Sequence, residues 1–262
     1  MAELRIVLYT NARWHSDPRV RYLHARLCAE FEDVKVVATG QAERRGWNPR
    51  LRRLRWKWDH LGWRYTMELL SGLPVQRLLL RRDSRRLESA LEALPRSVPP
   101  TRDDDVVCVE SVNGPDAVAA IASLRPDVIV QAGAGLLKPP VFELPSIATL
   151  NVHNGIAPLI KGNYPVYWSR LERRPEWLGA TVHMVDRGID TGRPIAYYTP
   201  SGDGDEVSLE VDVIRGGADA LIQALQRFEQ GEEWEVPIPA GERAYRSTIS
   251  GWRLLALRLR RT

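Results

Sequence analysis

Residues 148–153 read A-T-L-N-V-H, residues 154–165 continue N-G-I-A-P-L-I-K-G-N-Y-P, and residues 179–192 read G-A-T-V-H-M-V-D-R-G-I-D-T-G. The first piece is an apolar strand whose far end turns polar. Side chains alternate along a strand, so Asn151 and His153 fall on one face. Polar groups at the carboxyl end of a strand in an open parallel sheet stand where such sheets place ligands. The middle piece is a loop punctuated by Gly155, Pro158, Gly162 and Pro165. The last piece brings His183 on a second strand and Asp190 in a glycine-flanked turn.

Working outward, the flanking chain alternates strand and helix. Arg5–Thr10, Val34–Ala38, Asp105–Val109 and Asp127–Gln131 are β-rich apolar runs. Pro18–Phe31 and Gly114–Leu124 are helical, the second with Pro115 at its start, where a missing N–H costs nothing. This alternation predicts an α/β fold with a mostly parallel, twisted sheet. Gly179–Met184 and Pro194–Thr199 read as a strand pair, and Ser208–Gln230 as a helix that Gly216–Gly217 should kink or divide. Residues 41–100 break the pattern and read as a helical insertion, with helices at roughly 50–70 and 74–94. The expected division is a catalytic domain over 1–235 and a basic C-terminal tail over 236–262.

The 262 residues carry a net charge of +4 with 44% hydrophobic and 27% charged content, which excludes global disorder. No run approaches the roughly 20 apolar residues of a membrane span. The chain enters a strand pattern at once, which predicts no leader and a cytoplasmic protein. Cys28 and Cys108 lie far apart in apolar neighbourhoods and read as structural thiols, and no clustered ligand set calls for a metal. The charge is uneven: residues 41–86 hold thirteen Arg or Lys against four Asp or Glu, together with Trp47, Trp56, Trp58 and Trp63.

L-N-x-H, a Pro…Gly loop and T-x-H-x-V-x-x-x-I-D-x-G resemble the N10-formyltetrahydrofolate-dependent formyltransferases, the sugar N-formyltransferases among them. The upstream V-N-G-P-D-A-V-A-A-I-A-S-L-R-P-D-V-I-V-Q-A-G-A-G-L-L-K-P-P-V-F-E-L-P (112–145) is similar to that family's approach to its folate pocket. The resemblance covers roughly Val112–Thr199. It implies a Rossmann-like sheet of the formyltransferase type, N10-formyltetrahydrofolate as formyl donor, and Asn151, His153 and Asp190 as the catalytic residues. An Asn–His pair at a strand end is, alone, more often structural, and an Asp in a D-x-G turn is usually turn chemistry. Their joint spacing is what favours catalysis.

The residue types suit the chemistry. An amine attacking a formamide-like carbonyl passes through a tetrahedral oxyanion. The Asn151 amide can donate to it, His153 can donate or take up a proton near neutral pH, and Asp190 can orient the imidazole. His183 is an accessory candidate, with packing as its alternative. A-G-A-G-L-L (132–137) is no dinucleotide loop, because Lys138-Pro139-Pro140 stands where the third glycine and a helix should follow. By resemblance, Gly135, Leu136, Leu137, Val185, Asp186 and Ile189 line the folate site. Asn11, Arg13, Lys161, Asn163 and Tyr164 are expected to meet the acceptor, an anionic or phosphate-bearing one given Arg13 and Lys161. Asn154–Gly155 departs from the small or apolar residues more usual after the family's His.

The expected acceptor is a small-molecule primary amine, most simply an amino sugar, nucleotide- or lipid-linked. Transfer RNA is not expected, because the chain lacks the extra barrel of transfer-RNA formyltransferases. S-D-P-R-V-R-Y-L-H-A-R-L-C-A-E-F-E-D-V-K-V-V-A-T-G (16–40) also looks like a nucleotide-sugar glycosyltransferase opening, but a second donor-binding domain is missing. The alternatives are hydrolysis of formyl-folate, or a non-catalytic nucleic-acid or assembly module built on the Trp/Arg insertion. Nucleic acid is not favoured, as no reading motif accompanies the charge. For the insertion, Arg52, Arg53, Arg55 and Lys57 beside Trp56 and Trp58 suit an anionic membrane surface or, preferably, packing on the chain's own domain or a twin subunit as a homodimer, with buried Trp faces.

Overall fold

The computed structural model describes residues 3–11, 13–40, 55, 58–59, 62–94 and 106–260. Its centre is a seven-stranded sheet in the order β3-β2-β1-β4-β5-β7-β8. The strands are β1 (Ile6–Asn11), β2 (Val34–Thr39), β3 (Val106–Val109), β4 (Val128–Ala132), β5 (Ala148–His153), β7 (Ala180–Met184) and β8 (Pro194–Tyr198). β3 to β5 run parallel; β7 and β8 are antiparallel additions at one edge. The expected α/β sheet is therefore present, mixed at that edge.

Period two explains the layers. On β1, Ile6 and Leu8 enter one core, and Val7 and Tyr9 enter the core on the opposite face. Burial on both faces is why these strands read as continuous apolar runs. The first face is covered by α1 (Pro18–Glu30) and α7 (Glu206–Glu229), through Leu27, Leu221 and Leu225. The second is covered by α4 (Pro115–Leu124), through Ala117 and Ile121. The Asp17 carboxylate caps α1 by accepting from the Arg19 amide at 3.0 Å, with Pro18 in the first turn.

α7 runs unbroken for 24 residues, so Gly216–Gly217 does not divide it into two helices as one expectation had it. Both glycines are buried, and their role is close approach. A Cβ at 216 would sit 2.3 Å from the Tyr198 ring; one at 217 would meet Ala180 Cβ and Val152 Cγ1 at 2.9 Å. At these two positions the side chains of β5, β7 and β8 fill the space that a Cβ on the helix would need.

Within the insertion, α2 (Trp63–Ser71) and α3 (Leu73–Glu92) are described; the readings at Trp47, Arg52, Arg53, Trp56 and Lys57 lie outside the described residues. α3 packs on the domain itself, where Leu87 and Leu91 join Tyr22 of α1 and Val207 and Ile214 of α7. Trp58 and Trp63 are 51% and 56% exposed, so the chain's own domain does not bury them. Arg55 pairs loosely with Asp59 at 3.9 Å.

The supposed tail is folded into the same body. β9 (Ala244–Arg246) pairs in parallel with β6 (Ile160–Gly162), a strand the sequence reading took as loop. α8 (Gly251–Leu259) buries Leu254 and Leu257 beside Trp168 of α6 (Pro165–Glu172). Arg253 pairs with Glu68 of α2 at 2.9 Å, and Arg258 joins Asp83 of α3 to Glu206 of α7 at 2.5 and 2.7 Å. Of the cysteines, Cys28 lies 3.3 Å from His24 Nε2, and Cys108 is exposed, so Cys108 is no core thiol. No described helix is long and apolar enough to cross a membrane.

Candidate active site

β5 delivers Asn151 and His153 to the carboxyl edge of the sheet, and antiparallel β7 sets His183 directly opposite Asn151. Between Val182 and His183 the register against β8 shifts by one residue, with Ile195 the extra residue on β8. The Asp190 turn then folds back on both imidazoles. Asp190 holds a left-handed backbone, φ 49°, a conformation that Asp tolerates better than most residues.

The hydrogen bonds fix how these groups can act. His183 Nδ1 lies 2.7 Å from the Met184 carbonyl and must donate to it. His183 Nε2 therefore offers its lone pair to the Asn151 amide, 3.1 Å away. One N–H of that amide is thus spent on His183, and the other remains available. His153 Nε2 lies 3.1 Å from the Ile160 carbonyl and is likewise the protonated nitrogen. That leaves His153 Nδ1 as the basic atom, 3.5 Å from Asp190 Oδ2. The same carboxylate oxygen accepts the Gly162 amide at 2.9 Å, and Asp190 Oδ1 is 3.7 Å from His183 Nε2.

Electrostatics follow from burial and neighbours. Burial works to raise the Asp190 carboxyl, but His183, His153 and the Gly162 amide outweigh it and hold it at about 2. Asp190 is an anion at every physiological pH. Burial lowers His153 from the ordinary 6.5 and wins over the attraction of Asp190, so the resting ring is neutral. A neutral base beside a fixed anion is the arrangement a proton acceptor needs.

Gly155 explains the departure at Asn154–Gly155. A Cβ there would lie 2.8 Å from Pro165 Cβ and 2.9 Å from His153 Nε2. The loop can close over the imidazole only because this residue has no side chain.

Asn151 and His153 open onto a cavity of about 450 Å³, whose lining includes Asn163 and Tyr164 from the same loop. Those two of the five expected acceptor residues are brought to the site. Asn11 and Arg13 instead line a neighbouring recess of about 400 Å³, and the Asn11 amide donates to the Gly133 carbonyl at 3.1 Å. Lys161 lines neither space. Among the lining residues that the sequence did not point to are Asp17, Arg19, Tyr167 and Glu210.

The expected folate wall is divided. Leu137 is buried in the second-face core with Val185 packed against the same cluster. Leu136 and Ile189 are 66% and 40% exposed, apolar surface left without a covering group. The Gly135 and Leu136 carbonyls accept from Gln131 and Asn113 at 3.0 and 2.9 Å, which fixes the loop. The Asp186 carboxylate serves its own turn, accepting from the Gly188 amide and the Thr191 hydroxyl at 2.9 and 2.6 Å.

Residues 100–205, which contain all of Asn151, His153, His183 and Asp190, match the family described as formyl transferase. That segment is similar to the formyl transferase family. Around it, the chain is 32% identical over 142 residues to a methionyl-tRNA formyltransferase of Aromatoleum aromaticum, covering 53% of this chain and 45% of that protein. A second methionyl-tRNA formyltransferase, from Kosmotoga olearia, is 32% identical over 145 residues, 54% of this chain and 46% of its own. The chain thus spans less than half the length of these curated relatives. These names overturn the expectation that transfer RNA is excluded as a partner. Beyond the segment, the fold is that of Aquifex aeolicus HypX in complex with tetrahydrofolic acid (TM-score 0.55, 15% identity, 95% of this chain and 30% of that one). It is equally that of a Francisella tularensis 4-N formyltransferase (TM-score 0.54, 12% identity, 93% and 76%).

Proposed function

We propose that the protein transfers a formyl group from N10-formyltetrahydrofolate to a primary amine, with an amino sugar as the acceptor class. The observation that carries this reading is the meeting of Asn151 and His153 at one cavity, with the Asp190 carboxylate 3.5 Å from His153, in a segment that matches the formyl transferase family. The amine nitrogen attacks the formyl carbon, the carbon–N10 bond breaks, N10 takes up a proton, and the amine loses one. The unspent N–H of Asn151 donates to the oxyanion that forms. His153 receives the amine proton on Nδ1, and the imidazolium is held between the Ile160 carbonyl and the Asp190 carboxylate. His183 supports Asn151 by accepting its other N–H. The pterin lies against the exposed Leu136 and Ile189, backed by Leu137 and Val185. The cavity volume falls in the ordinary range for small-ligand sites, roughly 300–1,000 Å³, and its amide and phenol lining suits hydroxyl groups.

The test is incubation with N10-formyltetrahydrofolate and a panel of amines that includes amino sugars, nucleotide-linked amino sugars and methionylated transfer RNA, with release of tetrahydrofolate as the readout. Release that depends on an amino sugar supports the proposal. Release at one rate with or without any amine identifies a hydrolase, and dependence on transfer RNA alone removes the sugar.

A further inference from the structure

Across the cavity from Asn151 and His153, α1 and α7 contribute an ion pair that neither the family segment nor the chemistry above accounts for. The Arg19 guanidinium donates to Glu210 Oε1 at 2.5 Å, and both residues line the cavity. Both lie outside residues 100–205. Two helices from opposite ends of the chain are needed to build the pair.

The balance of charge around it is informative. Asp17 and Glu210 are the carboxylates of the lining and Arg19 is its guanidinium; His153 is buried and neutral. The described lining therefore carries one excess negative charge. Arg13 and Lys161, the cations that had suggested a phosphate, do not line this cavity. Arg19 is already engaged by Glu210, so a phosphate would have to displace a carboxylate and then sit beside it and Asp17. A hydroxyl group meets no such obstacle, because it can accept from the guanidinium edge and donate to the carboxylate at once. The hydroxyl of Tyr167 is turned away to Asp83 at 3.0 Å, so the ion pair is the main charged feature that a ligand would touch.

We propose that Arg19 and Glu210 are the acceptor-selecting residues of this cavity, and that they select an uncharged polyhydroxyl ring carrying the amine while rejecting a phosphate at the same place. The inference rests on the transfer reading and adds the chemical class of the group bound opposite the catalytic residues. A phosphate elsewhere on a larger acceptor would have to lie outside this cavity.

Ligand-observed NMR tests this without donor or turnover. The probes are glucosamine, glucosamine 6-phosphate and inorganic phosphate, each added to the wild-type protein, to Glu210→Gln, and to the doubly neutral Arg19→Gln/Glu210→Gln. The wild type should bind glucosamine at least tenfold more tightly than the 6-phosphate, with no competition from inorganic phosphate. Glu210→Gln frees Arg19 and should reverse the order, strengthening the 6-phosphate at least tenfold. The double variant replaces the pair by two amides of similar size and should keep the fold, weaken glucosamine about tenfold and gain no phosphate. Should Glu210→Gln melt, the double variant decides. Tighter 6-phosphate binding by the wild type, no glucosamine binding, or a double variant indistinguishable from wild type would each overturn the inference. A panel without amine-dependent release, alongside the expected binding order, would defeat the transfer reading and leave this pocket assignment standing.

Discussion

Replacing Asp190 by Asn keeps the size of the side chain and a residue type that accepts the left-handed backbone at φ 49°, and removes only the charge. The carboxyl is held at about 2 against an ordinary 3.8, so its ionised form gains just under two pKa units in the folded state. At 1.36 kcal/mol per unit, that is about 2 kcal/mol. Because the folded value is the lower one, this contribution is complete above pH 3.8 and is lost as pH falls towards 2. At pH 7, where the His153 ring is neutral, the variant should be less stable by at most about 2 kcal/mol, a fall of up to roughly 0.7–1 M in the urea midpoint at an m-value of about 2–3 kcal/mol/M. The gap between the two proteins should widen as His153 takes up its proton at acid pH and narrow again only below pH 4. Asp190→Ala should lose about 1 kcal/mol more, since alanine resists the left-handed turn. The second consequence is kinetic. Asp190 raises the affinity of His153 for a proton, so its removal lets burial lower that ring further. The acid limb of the kcat/KM profile should move to lower pH while kcat falls about 10²-fold. Urea titration from pH 4 to 8 and a pH–rate profile provide the assay. A variant with the wild-type midpoint and an unmoved acid limb would refute the account of His153 and Asp190 as an electrostatic pair.

Two further outcomes are expected. Gly216→Ala should destabilise by about 1–3 kcal/mol in a urea titration although alanine is the better helix former, because its Cβ would sit 2.3 Å from the Tyr198 ring; a gain in stability would show that α7 can move away from the sheet. Leu136→Asp, at a side chain 66% exposed, should leave the urea midpoint unchanged and weaken tetrahydrofolate binding at least tenfold by calorimetry; unchanged binding would remove this loop from the folate site.

Strand β5 was legible to the residue because a buried parallel strand has no choice but to be apolar, so Asn151 and His153 stood out against it. Asp190 and His183 were legible as a spacing, and the structure shows its physical basis in an antiparallel partner strand followed by a left-handed turn. The glycine pair in α7 misled because propensity is a property of one helix, whereas the contact with Tyr198 and Ala180 belongs to two elements. Arg19 and Glu210 were invisible for the same reason: 191 residues separate them, and neither sits in a local pattern that foretells the other. β6 and β9 are three residues each, too short for alternation to register.

The pairing of β6 with β9 deserves a different description. The loop that carries the Ile160 carbonyl to His153 is strapped down from outside: Leu159 accepts from Ala244, and Asn163 donates to Arg246 at 2.7 Å. It behaves as a wall with a buttress, and the buttress is supplied by chain far beyond the residues that match the family. A fragment ending at 205 would keep every candidate catalytic side chain and lose what holds the wall upright. Drift in the closing segment can thus re-cut the chamber while the reacting groups stay as they are, so inheritance of the reaction and inheritance of its partner molecule are separable in this protein.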